Sequence, residues 1–353
     1  MSRDGHFEFG IRLLLCGAGL AWAVGAGVRA ADVPLIGQPA ARSLVVEVAA
    51  QHATAAFESR PEVVREMVRS GILKLTGKAD LKAAWRSVVS PKEVVGLKVY
   101  AHPGASTGTR PAVVEAVVQG LLESGLPPTN IIVWDKRLDD LRAAGFTALS
   151  ERYGIRVAGS ADAGYDEKAF YDNSILGTLV AGDMEFDLHG ATTGRKSYVS
   201  KLVTGGMTKI ISIAPLLNHN LAGVCGNLYG VAMGSVDNTQ RFEASAQRLA
   251  QAVPEIYALP ALSDHVALNI TDALIGQYQG EQLSLLHYST QLNQIWFSKD
   301  PVALDALAVQ ELDRERLLMN DPSPGDNPDL FQNAALLELG TCDLSKIRLV
   351  TIP

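Results

Sequence analysis

The sequence predicts an α/β protein: a mixed, mostly parallel sheet flanked by helices, with a small antiparallel insert. Three observations predict it. Strand, helix and strand follow one another across residues 94–135, the pattern of a right-handed βαβ crossover between parallel neighbours. Short apolar runs rich in Val and Ile recur at 44–50, 210–214, 266–270, 295–297 and 348–352, with helical spacing between several of them. From Met184 to Lys209 the pattern changes to alternation, in Glu185–Leu188 and again in Ser197–Val203, as in half-exposed antiparallel strands.

The chain has 353 residues, 47% hydrophobic and 20% charged, enough for a substantial core. Arg12 precedes an apolar, small-residue run over Leu13–Val28, and Val28-Arg29-Ala30 offers small residues where a signal peptidase reads. The run is shorter than a membrane span. Residues 1–30 are therefore expected to be a secretory signal, with an uncleaved anchor as the alternative, and 31–353 a single α/β domain with its antiparallel insert at about 184–208. The protein is expected outside the cytoplasm, periplasmic or extracellular. Formal net charge is −7 and no basic cluster stands out, which disfavours nucleic acid as a partner. Beyond residue 30 only Cys225 and Cys342 remain, too few for an iron–sulfur cluster.

In order, Leu44–Ala50 reads as a strand. Arg60–Gly71 reads as a helix with Pro61 early and Gly71 at its end. A second helix is expected over Asp80–Val89, then a strand over Val94–Tyr100 that contains Lys98. The loop His102–Arg110 leads into helix Pro111–Ser124, whose Val113, Val114, Val117, Val118 and Leu121 share one face, and Gly125 closes it. Strand Ile131–Trp134 ends in Asp135. A helix over 138–144, a strand near Ile155–Ala158 and an irregular stretch to about 180 follow. After the alternating segment come strand Ile210–Ala214, which Pro215 should stop, a helix near 239–252, strands at 266–270 and 295–297, helix Pro301–Leu312 started by Asp300, a turn-rich loop at 321–328 and a last strand at 348–352.

The segment Lys209–Arg241 carries the functional expectation. After its strand come Asn218, His219 and Asn220, then Gly223, Gly226, Gly230 and Gly234, then Ser235, Asp237, Asn238, Thr239 and Arg241. Such a glycine-rich polar stretch exceeds the usual 4–6 residue connection and reads as a binding loop, or as a loop packed on itself. Ligands on open α/β sheets bind beyond the carboxyl ends of the strands. Three strands here end in polar loops: 102–110, 135–137 and 218–219. If they are parallel neighbours, the loops share one rim.

At that rim His219 is the candidate general base or metal ligand, with Asp135 as a second catalytic candidate or a cap for helix 138–144. His102, Ser106, Thr107, Thr109 and Arg110 are candidate ligand-binding residues: the 104–109 loop resembles an anion cradle at a helix N-terminus, or is an ordinary helix entry capped by Thr109. Arg110 would pair with an anionic ligand or with Asp135. Asn218, Asp237, Asn238 and Arg241 line the site or cap the next helix. His189, following Glu185 and Asp187, could join His219 around a divalent metal. Cys225 reads as a small buried residue.

The segments VVGLKVYAHPG, TRPAVVEAVVQGLLESGLPPTNIIVWD, LLNHNLAGVCGNLYGVAMGSVDNTQRF, LNITDALIGQYQG and WFSKDPVALDALAVQELDRER resemble the domain-of-unknown-function 362 family over about residues 43–320. Many members carry an attached ferredoxin-type four-cysteine motif, which implies a redox setting. This chain lacks that motif, so no cluster is carried over. Where members often show Lys-x-His, Leu217-Asn218-His219 keeps the histidine alone. Two expectations follow: an exported protein binding a small anionic ligand, with or without a divalent metal, as an enzyme; or a non-catalytic protein that docks on a redox or membrane-associated partner.

Overall fold

The computed structural model describes residues 42–178, 193–323 and 325–353. The expected signal peptide, the candidate strand 185–188 and His189 lie outside the described residues. Among the described residues, no helix is long and apolar enough to cross a membrane.

The strands in chain order are β1 (Ser43–Ala49), the two-residue partners β2 (Thr54–Ala55) and β3 (Glu58–Ser59), β4 (Val95–Val99), β5 (Ile131–Asp135), β6 (Arg156–Gly159), β7 (Tyr165–Thr178), β8 (Thr193–Ser200), β9 (Lys209–His219), β10 (Gly223–Val224), β11 (Val266–Gln277), β12 (Ser289–Ser298) and β13 (Ile347–Ile352). The main sheet runs β13-β1-β12-β11-β9-β4-β5-β6, with β10 folded back on β9. Along that path only β12 opposes its neighbours; the other pairs are parallel. This is the mixed, mostly parallel sheet that the sequence predicts, and β4–helix–β5 is the expected crossover.

Side chains of successive strand residues face opposite sides, so the sheet has two apolar faces. One packs Leu97, Val133 and Ile211 under helices Pro61–Thr76 and Pro111–Glu123. The other packs Ile132 and Ile210 under helices Asn227–Ser235, Ala246–Tyr257 and Pro301–Met319.

Several boundaries differ from expectation, each for a local reason. The first helix passes through Gly71 to Thr76 and ends at Gly77, which is left-handed at φ +65°. Gly71 serves a close approach instead: a Cβ there would sit 2.1 Å from the Phe297 ring. β9 does not stop at Pro215. Its pairing with β4 ends at Ile213, and its register with β11 breaks just after Pro215, so the missing N–H falls where the ladder no longer needs it. The "irregular" stretch before 180 contains β7, which pairs with β8 as a two-stranded antiparallel sheet. Its ladder shifts register twice, which blurs the alternation that would reveal a strand. Ser200 ends β8 and caps a short helix, Lys201–Gly205, through Leu202 N–H at 3.2 Å, where the sequence suggested continued strand.

The largest difference lies in 215–241. That segment is no long loop: it is the end of β9, the short strand β10 and helix Asn227–Ser235, all nine residues of which are buried. Gly234 admits the aliphatic end of Lys98, whose Cε would lie 2.2 Å from an added Cβ.

Candidate functional site

β9, β4 and β5 are adjacent and parallel, so their carboxyl ends open on one rim. There His219 ends β9, Tyr100 and His102 follow β4, and Asp135 ends β5. All four line one cleft of about 440 Å³. Helix Asn227–Ser235 and the turn after it add Tyr229 and Glu243, and the segment beyond β11 adds Glu281 and Gln282. The expectation that His102, Asp135 and His219 share a cleft is met.

His219 is 4% exposed, and its ring is oriented by the backbone. The N–H groups of Leu221 and Ala222 both donate to Nδ1, at 3.2 and 3.1 Å. Nδ1 is thereby an acceptor, which assigns the proton to Nε2. Nε2 lies 3.4 Å from Oε2 of Glu243, without hydrogen-bond geometry, and has no other partner among the described residues. Oε1 of the same carboxylate accepts from the Tyr229 hydroxyl at 2.8 Å. The Tyr229 and His219 rings pack at 4.5 Å between centroids. Gln282 Nε2 donates to the Tyr229 oxygen at 3.2 Å. Burial and the Glu243 charge push the Tyr229 phenol well above its ordinary range, so it stays a neutral donor. One carboxylate thus faces two neutral donors.

Asp135 is held on the other side of the site. Lys98 is 2% exposed and its ammonium contacts Asp135 Oδ1 at 2.7 Å and the Val99 carbonyl at 2.6 Å. Ala101 N–H donates to Oδ2 at 2.8 Å. Asp135 is therefore a fixed, neutralised wall of the cleft and not a cap for the following helix, whose cap position is Arg137. Exposed His102 stands 3.7 Å from Asp140, whose contact raises its pKa against the opposing effect of partial burial.

The remaining sequence candidates lie away from the cleft. Arg110 is buried and bound to Asp272 through Nη1 at 3.1 Å and through its own N–H at 2.9 Å; it meets neither Asp135 nor open space. Thr109 does not cap helix 111–123. Its hydroxyl accepts from Tyr100 N–H and donates to the Ile213 carbonyl, tying β4 to β9. Ser106 is exposed, and its carbonyl accepts from Arg110 at 2.9 Å; Thr107 is buried, its hydroxyl without a partner among the described residues. The 104–109 loop is thus a brace for Arg110 rather than part of the cleft. Asn218 is taken up by Arg316 and Asn220. Asp237, Asn238 and Arg241 clasp the β7–β8 hairpin: Asp237 accepts from Tyr198 N–H, Asn238 donates to the Gly194 and Lys196 carbonyls, and Arg241 donates to Ile175, Arg195 and Ser197.

The paired His219–His189 metal site falls partly outside the described residues, since His189 is not among them. Among the described residues no group of three or more His, Cys, Asp and Glu is placed to hold a metal ion, and the two-donor contact at Nδ1 leaves His219 no lone pair free at Nε2. Of the described residues, Cys225 and Cys342 are free thiols, the first buried and the second half-buried. Sequence reasoning missed Tyr229, Glu243, Gln282 and the role of Lys98. A lysine inside an otherwise apolar strand was the one visible signal, because a buried ammonium demands a partner.

Fold and site together define an open α/β-sheet protein with a polar cleft at the carboxyl ends of its central strands. The family model described as Domain of unknown function (DUF362) matches residues 95–310, and the chain belongs to that family. A crystal structure of a Thermotoga maritima protein, solved as a Northeast Structural Genomics Consortium target, is similar at 15% identity and a TM-score of 0.36, over 60% of this chain and 50% of that one. The chain thus spans about half the length of that protein. No curated protein matches the sequence.

Proposed function

We propose that the cleft binds a small anionic molecule and moves a proton on it. Glu243 is the proton acceptor, and Nε2–H of His219 and the Tyr229 hydroxyl are the neutral donors beside it. The observation that supports this most is the shared carboxylate: Tyr229 at 2.8 Å on one oxygen, His219 at 3.4 Å from the other. Once that carboxylate takes a proton, the two donors can turn to charge developing on the ligand. His219 is thereby recast from base to donor. Arg137, exposed at the same cleft, supplies the attraction for the anion. The apolar run of residues 13–28 supports an exported setting for this chemistry.

The test is a panel of acetate, lactate, succinate and inorganic phosphate, read by melting-temperature shift and by solvent-deuterium exchange into ligand C–H bonds. At least one carboxylate should raise the melting temperature of the wild type and exchange. Glu243→Gln should keep the shift and lose the exchange. No shift with any anion would overturn the reading. Binding without exchange would remove the catalytic half and leave a binding protein.

A further inference from the structure

We propose that the ligand is dipolar, carrying a cationic group as well as an anionic one, with the two charges held apart along the rim. The inference rests on the cleft being a ligand site and adds the ligand's class. Strand order sets the geometry. Along β11–β9–β4–β5 the cleft receives Glu281 beyond β11, His219 at the end of β9, His102 beyond β4 and Arg137 beyond β5. Three strand spacings of about 4.8 Å separate the ends of that series, about 14 Å in all before side chains reach inward.

The carboxylates along this line differ in their partners, and Lys136, which also lines the cleft, donates to the Thr239 hydroxyl. At the β5 end each carboxylate has its own cation: Asp135 has Lys98 at 2.7 Å, and Asp140 has His102 at 3.7 Å. Arg137 stands exposed there with no ion pair among the described residues. At the β11 end the carboxylates have neutral partners only. Glu281 accepts from Asn220 Nδ2 at 2.7 Å, and Glu243 accepts from Tyr229 and faces the neutral His219 ring. No lysine or arginine of the described residues comes within ion-pair distance of either. A simple anion drawn to Arg137 would meet two uncompensated carboxylates further along the cleft. A molecule with an ammonium at its far end would satisfy both ends, because complementarity fixes which partners a site accepts. The volume of about 440 Å³ suits a short peptide or an ω-amino acid.

The experiment compares matched probes by calorimetry on the wild-type chain: triglycine, N-acetyltriglycine and triglycinamide, and 6-aminohexanoate, hexanoate and hexylammonium. The zwitterion of at least one set should bind about tenfold more tightly than either singly charged analogue. Glu281→Gln should narrow its advantage over the anion, and Arg137→Gln its advantage over the cation. Equal or tighter binding of N-acetyltriglycine or hexanoate would overturn the dipolar ligand while leaving the anion site standing. Binding of the cationic probes alone, or of no probe, would overturn both.

Discussion

Nε2 of His219 lies 3.4 Å from Oε2 of Glu243, while two backbone N–H groups occupy the opposite ring nitrogen. With Nδ1 accepting, the ring proton falls on Nε2, the nitrogen that faces the carboxylate. Nitrogen-15 NMR of labelled histidine should show Nδ1 unprotonated and Nε2 protonated at neutral pH. The opposite assignment would return His219 to the role of base.

Lys98 and Asp135 form a buried pair whose members each depend on the other. Lys98→Met should destabilise the protein by about 3–5 kcal/mol, because it strands a buried carboxylate. Lys98→Met with Asp135→Leu should be less damaging than the sum of the single changes. Chemical denaturation of the four proteins measures this, and strict additivity would refute the coupling.

Gly71 lies against the Phe297 ring with no room for a methyl group, at 2.1 Å. Gly71→Ala should lower stability by about 1–3 kcal/mol through overpacking, despite alanine's better helix propensity. A stabilised variant, read by thermal melting, would mean that the ring moves aside freely.

Asp305 receives the N–H groups of Asn227 and Leu228 at 2.8 Å each and so anchors the helix beneath the cleft. Burial raises its pKa from 3.8 to about 6, against the lowering effect of those hydrogen bonds. The folded state therefore holds the proton more tightly than the unfolded state. The stabilisation is fully present below about pH 4 and is lost as pH rises through about 6. Measured against Asp305→Asn, the wild type should lose on the order of 3 kcal/mol across that window. Parallel stability–pH curves for the two proteins would contradict the shift.

Cys225 is buried and burial pushes its thiol up, whereas Cys342 is half-buried. In the native protein an alkylating reagent should modify Cys342 and spare Cys225 until the chain unfolds. Mass spectrometry of labelled peptides reads the difference, and early labelling of Cys225 would contradict the packing around β10.

The sheet was legible where strands are buried on both faces. Val95–Val99 is apolar but for Lys98 and Ile131–Trp134 is wholly apolar, and the helix between them carries a valine stripe that no exposed helix would have. The site was legible only through topology: His219, Asp135 and His102 share a cleft because β9, β4 and β5 are parallel neighbours. Arg110 illustrates what spacing hides. Its partner Asp272 lies 162 residues away on β11, and no local pattern announces that pair. Glu243 was hidden in the same way, since its contact with His219 depends on how helix Asn227–Ser235 folds back under the rim. The run 223–234 read as loop because glycine is rare inside helices, yet this helix is buried all round and Gly234 makes room for Lys98.

The cleft itself is tested most directly by amide NMR of the isotopically labelled protein during titration with small carboxylates and with 6-aminohexanoate. Perturbations should gather at residues 100–102, 135–140, 219–222 and 229–243, and weaken in Arg137→Gln. Perturbations confined to residues 104–110, or none anywhere, would contradict a ligand site at the ends of β9, β4 and β5.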